Sequence, residues 1–167
     1  MNPILIVLLA LAGQLDLPYK PDGKVGISEI SKSLCWQVGA AGAIKRIVGK
    51  ETTGVAVAIK GFVQKEWDFN DVCFADSTHG WIVGQKNIGD DKGRGVILNS
   101  TNGGASWMVG YAPFMNTPDS LLPCLKVYIV KINWQYQGYI DCGKCLLKCR
   151  SGDNTWVRIR PHTKAKQ

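Results

Sequence analysis

Apolar and polar positions alternate over short stretches of this chain, and clusters of Gly, Asp, Asn and Ser separate those stretches. The pattern is clearest between Asp71 and Trp107. Here the segments 71–75, 80–84 and 96–99 predict three short strands, and residues 106–111 begin a fourth. Polar turn residues such as 76–79 lie between them. The stretch therefore predicts a four-stranded antiparallel meander.

The same unit recurs on both sides of this stretch. Trp36 lies 45 residues before Trp81, Tyr139 lies 58 residues after it, and each is followed closely by an apolar residue. Strands are predicted at 27–31 and 125–132, and residues 55–67 are predicted to supply the outer strand of the first unit. Repeats of this length with four strands each are typical of propeller blades. We therefore predict an all-β fold of about three four-stranded antiparallel blades, forming a partial or open propeller.

Three blades cannot close a ring, because propellers use roughly four to eight. The alternatives are a fragment of a longer propeller, an open arc of three sheets, and self-association of several copies. Exposed sheet edges would favour pairing with another chain.

One turn of the central unit has a specific hydrogen-bonding pattern. In the octet 100–107, a hydroxyl and an amide can bond nearby backbone N–H groups, while a glycine takes a positive φ. The third unit has the same frame at 149–156 and keeps Trp156, but Cys149, Ser151 and Asp153 replace the hydroxyl, the amide and the glycine. The predicted structural turn consists of Ser100, Asn102, Gly104, Ser106 and Trp107.

This octet resembles the Asp-box (BNR) signature, with Asn102 at the usual aspartate position. Residues 68–111 as a whole, with Gly80-Trp81 at their centre, resemble the photosystem II stability/assembly factor family of propellers. The resemblance implies a non-catalytic binding or assembly module with a protein partner. Asp-box turns also occur in sialidases and other glycosidases, so a remnant of such a glycoside hydrolase is the alternative.

The two ends of the chain differ from its body. Residues 4–12 form an apolar run that ends in a small-x-small pattern, so residues 1–12 predict a signal peptide, with a buried first strand as the alternative. Residues 13–24 predict a linker, 25–160 the propeller-like domain and 161–167 a basic tail. The protein is therefore expected to be exported, to the periplasm, the exterior or a lumen. No stable membrane span is expected after removal of the signal.

The formal net charge of +7 is concentrated in residues 144–167. A solvated basic tail explains this charge most simply, and nucleic-acid binding is not predicted because Trp156 already belongs to the repeat. Several arginines recur near the third strand of each unit or lie in the basic end. They are the candidate partner-binding residues: Arg46, Arg94, Arg150, Arg158 and Arg160.

Six cysteines leave three alternatives open: disulfides, buried free thiols, and a zinc site. A zinc site would use Cys142, Cys145 and Cys149, with Cys124 or His162 as the fourth ligand. Cys35 and Cys73 are predicted to face the core as small hydrophobic residues. No metal and no cofactor is predicted.

Catalysis has little support in the sequence. His79 falls in a turn and His162 in the tail, so neither is expected to have a catalytic partner inside the fold. The aspartates are scattered at turns, where they are common. The tryptophans are predicted to be core residues rather than sugar-stacking platforms. No catalytic residue is predicted.

Overall fold

The computed structural model describes residues 26–110, 122–132, 135–143, 145–149 and 155–159. The predicted signal peptide, linker and basic tail lie outside the described residues, as do Arg150, Arg160 and the interior of the third octet at 150–154, including Asp153. Within the described ranges there are twelve strands and two short 3₁₀ turns.

Each sheet is a meander whose strands follow chain order. The first contains β1 (Gly26–Ser31), β2 (Leu34–Val38), β3 (Ile44–Val48) and β4 (Glu51–Gly54). The second contains β5 (Trp67–Phe74), β6 (Gly80–Lys86), β7 (Gly95–Ser100) and β8 (Met108–Val109). The third contains β9 (Lys126–Ile132), β10 (Gln135–Asp141), β11 (Leu146–Cys149) and β12 (Trp156–Ile159). The prediction of three four-stranded antiparallel sheets is confirmed.

The register of the sheets places the repeated aromatic residues at equivalent positions. Trp36, Trp81 and Tyr139 each lie on the second strand of their sheet, and each is the second member of an equivalent cross-strand row. The rows are Ser28–Trp36–Arg46–Thr53, Cys73–Trp81–Asn99–Met108 and Tyr128–Tyr139–Lys148–Val157. The uneven spacing of the repeats therefore comes from the lengths of their loops, because the paired positions coincide.

The outer strand of the first sheet differs from the prediction. It is formed by Glu51–Gly54, while residues 55–66 make a loop with a 3₁₀ turn at Gln64–Glu66. The Gln64 side chain provides hydrogen-bond partners for the backbone of this loop. It accepts a hydrogen bond from the Val57 N–H at 2.7 Å and donates one to the carbonyl of Val55 at 3.1 Å. A side chain thus replaces the ladder partners that a strand would need.

The core lies in two layers between the sheets. One cluster joins the first and second sheets around Trp36, Ile82 and Leu98, and the other joins the second and third around Trp81 and Ile97. Neighbouring residues on β6 and β7 point into opposite clusters, and every residue of β7 is buried. The second sheet is therefore packed on both faces.

Cys35 does not face this core. It is half-buried and adjoins Trp36, which is fully buried against the second sheet. Because successive side chains on a strand point to opposite faces, Cys35 faces away from the second sheet, and the prediction of a core-facing position is wrong. Cys73 does pack against the second cluster.

The first strands of the three sheets lie side by side, with β5 between β1 and β9. The Phe74 N–H donates to the Ser28 hydroxyl at 3.1 Å, and the Val127 N–H donates to the Asp71 carboxylate at 3.1 Å. Lys126 Nζ lies 3.7 Å from the same carboxylate. Adjacent first strands are the arrangement expected around a propeller axis.

Within the residues that the structure describes, none of the helical segments is long and apolar enough to cross a membrane.

Candidate functional site

The box turn, residues 100–107, is held by two side chains. Ser100 Oγ accepts the Gly104 N–H at 2.9 Å and donates to Asn102 Oδ1 at 2.9 Å. Asn102 Oδ1 also accepts the Ser106 N–H at 2.9 Å, and its Nδ2 donates to Ser106 Oγ at 2.8 Å. Gly103 and Gly104 have φ of 68° and 82°, which only glycine adopts without cost. The turn therefore has the bonds and the positive φ that its sequence predicts.

The box turn also joins the first two sheets. The Trp107 ring meets the edge of Trp36, with centroids 5.9 Å apart and an interplanar angle of 79°. Phe74 completes this group, stacking on Trp36 at 5.4 Å and meeting Trp107 at 5.9 Å. Trp36 and Trp107 are at most 3% exposed. These tryptophans are core residues, as predicted, and they hold the turn in place.

The turn between β5 and β6 packs against the box turn. The Gly103 N–H donates to the carbonyl of Thr78 at 2.8 Å. Inside this turn, Asp76 Oδ1 accepts the N–H groups of Thr78 and His79 at 2.9 and 2.8 Å and the Thr78 hydroxyl at 2.9 Å. Two turns of the second sheet thus form one continuous surface.

Tyr136, on β10 of the third sheet, completes a polar cluster on this surface. Its hydroxyl donates to Asp76 Oδ2 at 2.6 Å and lies 2.8 Å from His79 Nδ1. The His79 and Tyr136 ring centroids are 4.6 Å apart, and Trp81 lies beside Tyr136 at 5.6 Å. We call Asp76, Thr78, His79 and Tyr136 the Asp76 cluster.

Three side-chain oxygens surround Nδ1 of His79 in the Asp76 cluster. Both the Tyr136 and the Thr78 hydroxyls donate to the carboxylate, so their oxygens act as acceptors toward His79. His79 Nδ1 lies 2.7 Å from Thr78 Oγ1, 2.8 Å from the Tyr136 oxygen and 3.1 Å from Asp76 Oδ1, so the tautomer with a proton on Nδ1 can donate to these oxygens.

The Asp76 carboxylate is strongly biased toward its charged form. Partial burial raises its pKa, but the hydrogen bonds from Tyr136, His79 and Thr78 outweigh this effect and hold the pKa far below the ordinary value. About a quarter of the side chain is exposed. Chemically, the cluster offers a fixed anion, a phenol and a histidine at the boundary between two sheets.

No pattern in the sequence predicted the Asp76 cluster. His79 was expected to have no catalytic partner inside the fold, and the structure brings Tyr136, 57 residues away, into contact with it. The turn motif at 76–79 was visible as a polar run. No local signal pointed to Tyr136.

The structure describes three of the candidate partner-binding arginines, and each belongs to a different sheet. Arg46 is exposed on β3, and Arg158 is exposed on β12. Arg94 precedes β7, is partly exposed, and lies 3.4 Å from Asp91, which also pairs with Lys86 at 2.8 Å. The described arginines are therefore spread along the arc of sheets.

Among the described residues, no three His, Cys, Asp or Glu side chains are grouped so as to hold a metal ion. All six cysteines lie within the described residues, and none of them forms a disulfide bond in this structure.

No family model and no curated protein matches the chain. The solved structures that are similar to it include two of YCF48. One is YCF48 bound to D1 peptide, with 20% identity and a TM-score of 0.55, and the other is YCF48 from Cyanidioschyzon merolae, with 17% identity and a TM-score of 0.57. The matches cover 85% of this chain but only 45% and 41% of those chains. Because both are propellers, the likeness shows that the three sheets form a partial propeller.

Proposed function

We propose that this protein is a non-catalytic binding or assembly module that recognises a segment of a protein partner, and that it is related to the photosystem II assembly or stability factors. The observation that carries this proposal is the similarity to YCF48, one structure of which is bound to a D1 peptide. The resemblance of residues 68–111 to the photosystem II factor family supports it. The chain spans less than half the length of these two YCF48 chains, so a partner is proposed for the three-sheet unit alone.

The charge of the chain favours a partner segment that carries carboxylates. Arg46 and Arg158 are exposed on the first and third sheets, and the chain has a net charge of +7. The planar guanidinium group binds carboxylates through two parallel hydrogen bonds. We therefore propose that the partner-binding residues are Arg46, Arg94 and Arg158, together with Arg150 and Arg160.

The test is a titration of the full chain with a fluorescent D1 peptide, followed by anisotropy, with a scrambled peptide as reference. Binding of the D1 peptide that weakens with added salt and falls about tenfold in Arg46→Gln or Arg158→Gln would support the proposal. Lys50→Gln is the control, because Lys50 is exposed but is not one of the proposed residues. Equal affinity for the D1 peptide and the scrambled peptide would contradict the proposed function.

One observation favours the alternative, a glycoside hydrolase-like function. A sialidase-like site needs a tyrosine with an acidic partner, and the Tyr136 hydroxyl lies 2.6 Å from Asp76. Turnover of fluorogenic glycosides by the purified chain, lost in Tyr136→Phe and in Arg94→Gln, would support this function over the binding module. Unchanged fluorescence would exclude it for the glycosides tested.

Self-association and export are further proposals. Ile27 on β1 is 58% exposed, on the face of the first sheet that points away from the second. Contact of this exposed apolar side chain with another copy would remove it from water. Light scattering after gel filtration would measure the oligomeric state, and N-terminal sequencing of the protein from its host would show whether residues 1–12 are removed.

A further inference from the structure

Two cysteine thiols meet in the core between the second and third sheets. Cys124 precedes β9 and Cys142 follows β10, and their Sγ atoms are 3.8 Å apart. The two residues are 0% and 1% exposed. No other side chains need to move aside for these two sulfur atoms to approach each other, because they are already in contact.

The backbone on both sides of this pair is anchored. The Cys124 N–H donates to the carbonyl of Gly84 at 3.2 Å, and the Cys124 carbonyl accepts from Asn70 at 2.8 Å. Between the two cysteines, the Leu125 N–H donates to the carbonyl of Asp141 at 2.8 Å, which continues the pairing of β9 with β10. The closeness of the thiols therefore follows from the strand register.

We propose that Cys124 and Cys142 form a disulfide when the protein folds in the presence of a disulfide oxidant such as oxidised glutathione. The bond requires the sulfur atoms to close from 3.8 Å to about 2 Å, which side-chain rotation supplies. Cys145 is the competing thiol. The Cys142 N–H bonds the Cys145 carbonyl at 2.9 Å across the β10–β11 turn.

The reaction is a two-step exchange. The thiolate of one cysteine attacks a sulfur of oxidised glutathione, forms a mixed disulfide and releases one glutathione thiolate, which takes up a proton. The second cysteine, as its thiolate, attacks the protein sulfur of the mixed disulfide and releases the second glutathione. Two protein thiols are oxidised, and one glutathione disulfide is reduced to two thiols.

Once folding is complete, the native structure slows the formation of this disulfide. The hydrogen bond with Cys124 is the main cause that raises the pKa of the Cys142 thiol; a side-chain hydrogen bond with Cys145 only partly offsets it, and burial raises the pKa further. A protonated, buried thiol is a poor nucleophile. Oxidation therefore proceeds while the chain folds, and the reduced native protein reacts slowly.

The bond would join the segment that enters the third sheet to the end of its second strand. It closes a loop of 18 residues that contains the whole β9–β10 hairpin. A crosslink over a loop of this size stabilises mainly by restricting the unfolded chain. The oxidised protein should melt roughly 5–10 °C above the reduced protein.

The test is peptide mapping of the full chain after refolding in a glutathione redox buffer. Trypsin cuts after Arg94, Lys126, Lys131, Lys144 and Lys148, so the three competing cysteines fall on separate peptides. The expected product links peptide 95–126 to peptide 132–144, with an intact mass lower by two hydrogens. A link between 132–144 and 145–148, or the absence of any link, would overturn the proposal.

Melting curves with and without reductant give an independent readout. The redox-dependent shift should vanish in Cys124→Ser and in Cys142→Ser, and persist in Cys35→Ser, whose thiol lies outside both core clusters. Persistence of the shift in Cys124→Ser would assign the bond to another pair. The mapping uses the wild-type chain, so it does not depend on whether a variant folds.

Discussion

Gly104 lies against the indole of Trp36, so closely that a Cβ on Gly104 would overlap the Cζ2 and Cη2 atoms of the ring. Gly104 belongs to the box turn of the second sheet, and Trp36 to the second strand of the first. The turn is therefore shaped both by its own hydrogen bonds and by the neighbouring sheet. A glycine is therefore required at position 104 for two separate reasons: its φ is positive, and the Trp36 ring leaves no room for a Cβ.

Gly104→Ala should destabilise the protein by roughly 2–5 kcal/mol. A non-glycine residue in the left-handed region costs about 1–2 kcal/mol, and overpacking adds about 1–3 kcal/mol. Gly49→Ala is the matched control, because Gly49 has φ of 60° but open space where its Cβ would lie. Urea unfolding should show a larger loss for Gly104. Equal losses would mean that the contact with Trp36 has no energetic weight.

Trp107→Ala should cost roughly 3–5 kcal/mol, because it removes a large buried ring. A double-mutant cycle with Trp36→Phe should show a coupling of about 0.5–1.5 kcal/mol for the edge-to-face contact. Met108→Ala, next in the chain and 54% exposed, should be nearly neutral. A neutral Trp107→Ala would contradict the packing role of the box turn.

Asn102→Asp should preserve the box turn, whereas Ser100→Ala should weaken it by about 1–3 kcal/mol. An aspartate can accept from the Ser100 hydroxyl and the Ser106 N–H, and the Ser106 hydroxyl can rotate to donate to it. Ser100→Ala leaves the buried Gly104 N–H without its acceptor. Thermal melts of both variants measure this difference, and equal melting temperatures would contradict it.

Asp76→Asn should flatten the acid limb of the stability curve. The folded state lowers the pKa of Asp76, so its contribution is fully present above the unfolded value of about 4 and is lost as pH falls toward the folded pKa. Wild type should therefore lose more stability than Asp76→Asn when the pH falls from 5 to 2. Parallel curves for the two proteins would mean that the cluster contributes no linkage.

Asp71 should contribute to stability with a pH dependence opposite to that of Asp76, and Asp71→Asn should remove this contribution. Burial is the main cause that raises the pKa of Asp71, and Lys126 and the Val127 N–H only partly offset it. The folded state therefore binds this proton more tightly than the unfolded chain, and the contribution of Asp71 to stability decreases as pH rises through the raised pKa. Compared with Asp71→Asn, the wild type should gain stability as the pH falls, which denaturant midpoints across pH 3–7 would measure.

Much of the fold was predictable because its signals are local. The strands at 27–31, 80–84, 96–99 and 125–132 follow from short alternating patterns, and the structure has strands at all four places. The box turn was predictable for the same reason, since the hydrogen bonds of its Ser100 and Asn102 side chains join residues at most four apart. The equivalence of Trp36, Trp81 and Tyr139 is a repeat, which a sequence displays directly.

Other features depended on contacts between sheets, which no short pattern contains. Residues 55–66 form a loop in which the Gln64 side chain hydrogen-bonds to the backbone of Val57 and Val55. The Asp76 cluster required Tyr136 to arrive from the third sheet, and the Cys124–Cys142 contact required the register of β9 with β10. Cys35 and Cys73 look alike in sequence, but only Cys73 has a neighbouring sheet to bury it, because Cys35 lies on the outer face of the first sheet. Local patterns thus determined the strands and the box turn, while the stacking order of the sheets decided which side chains became neighbours.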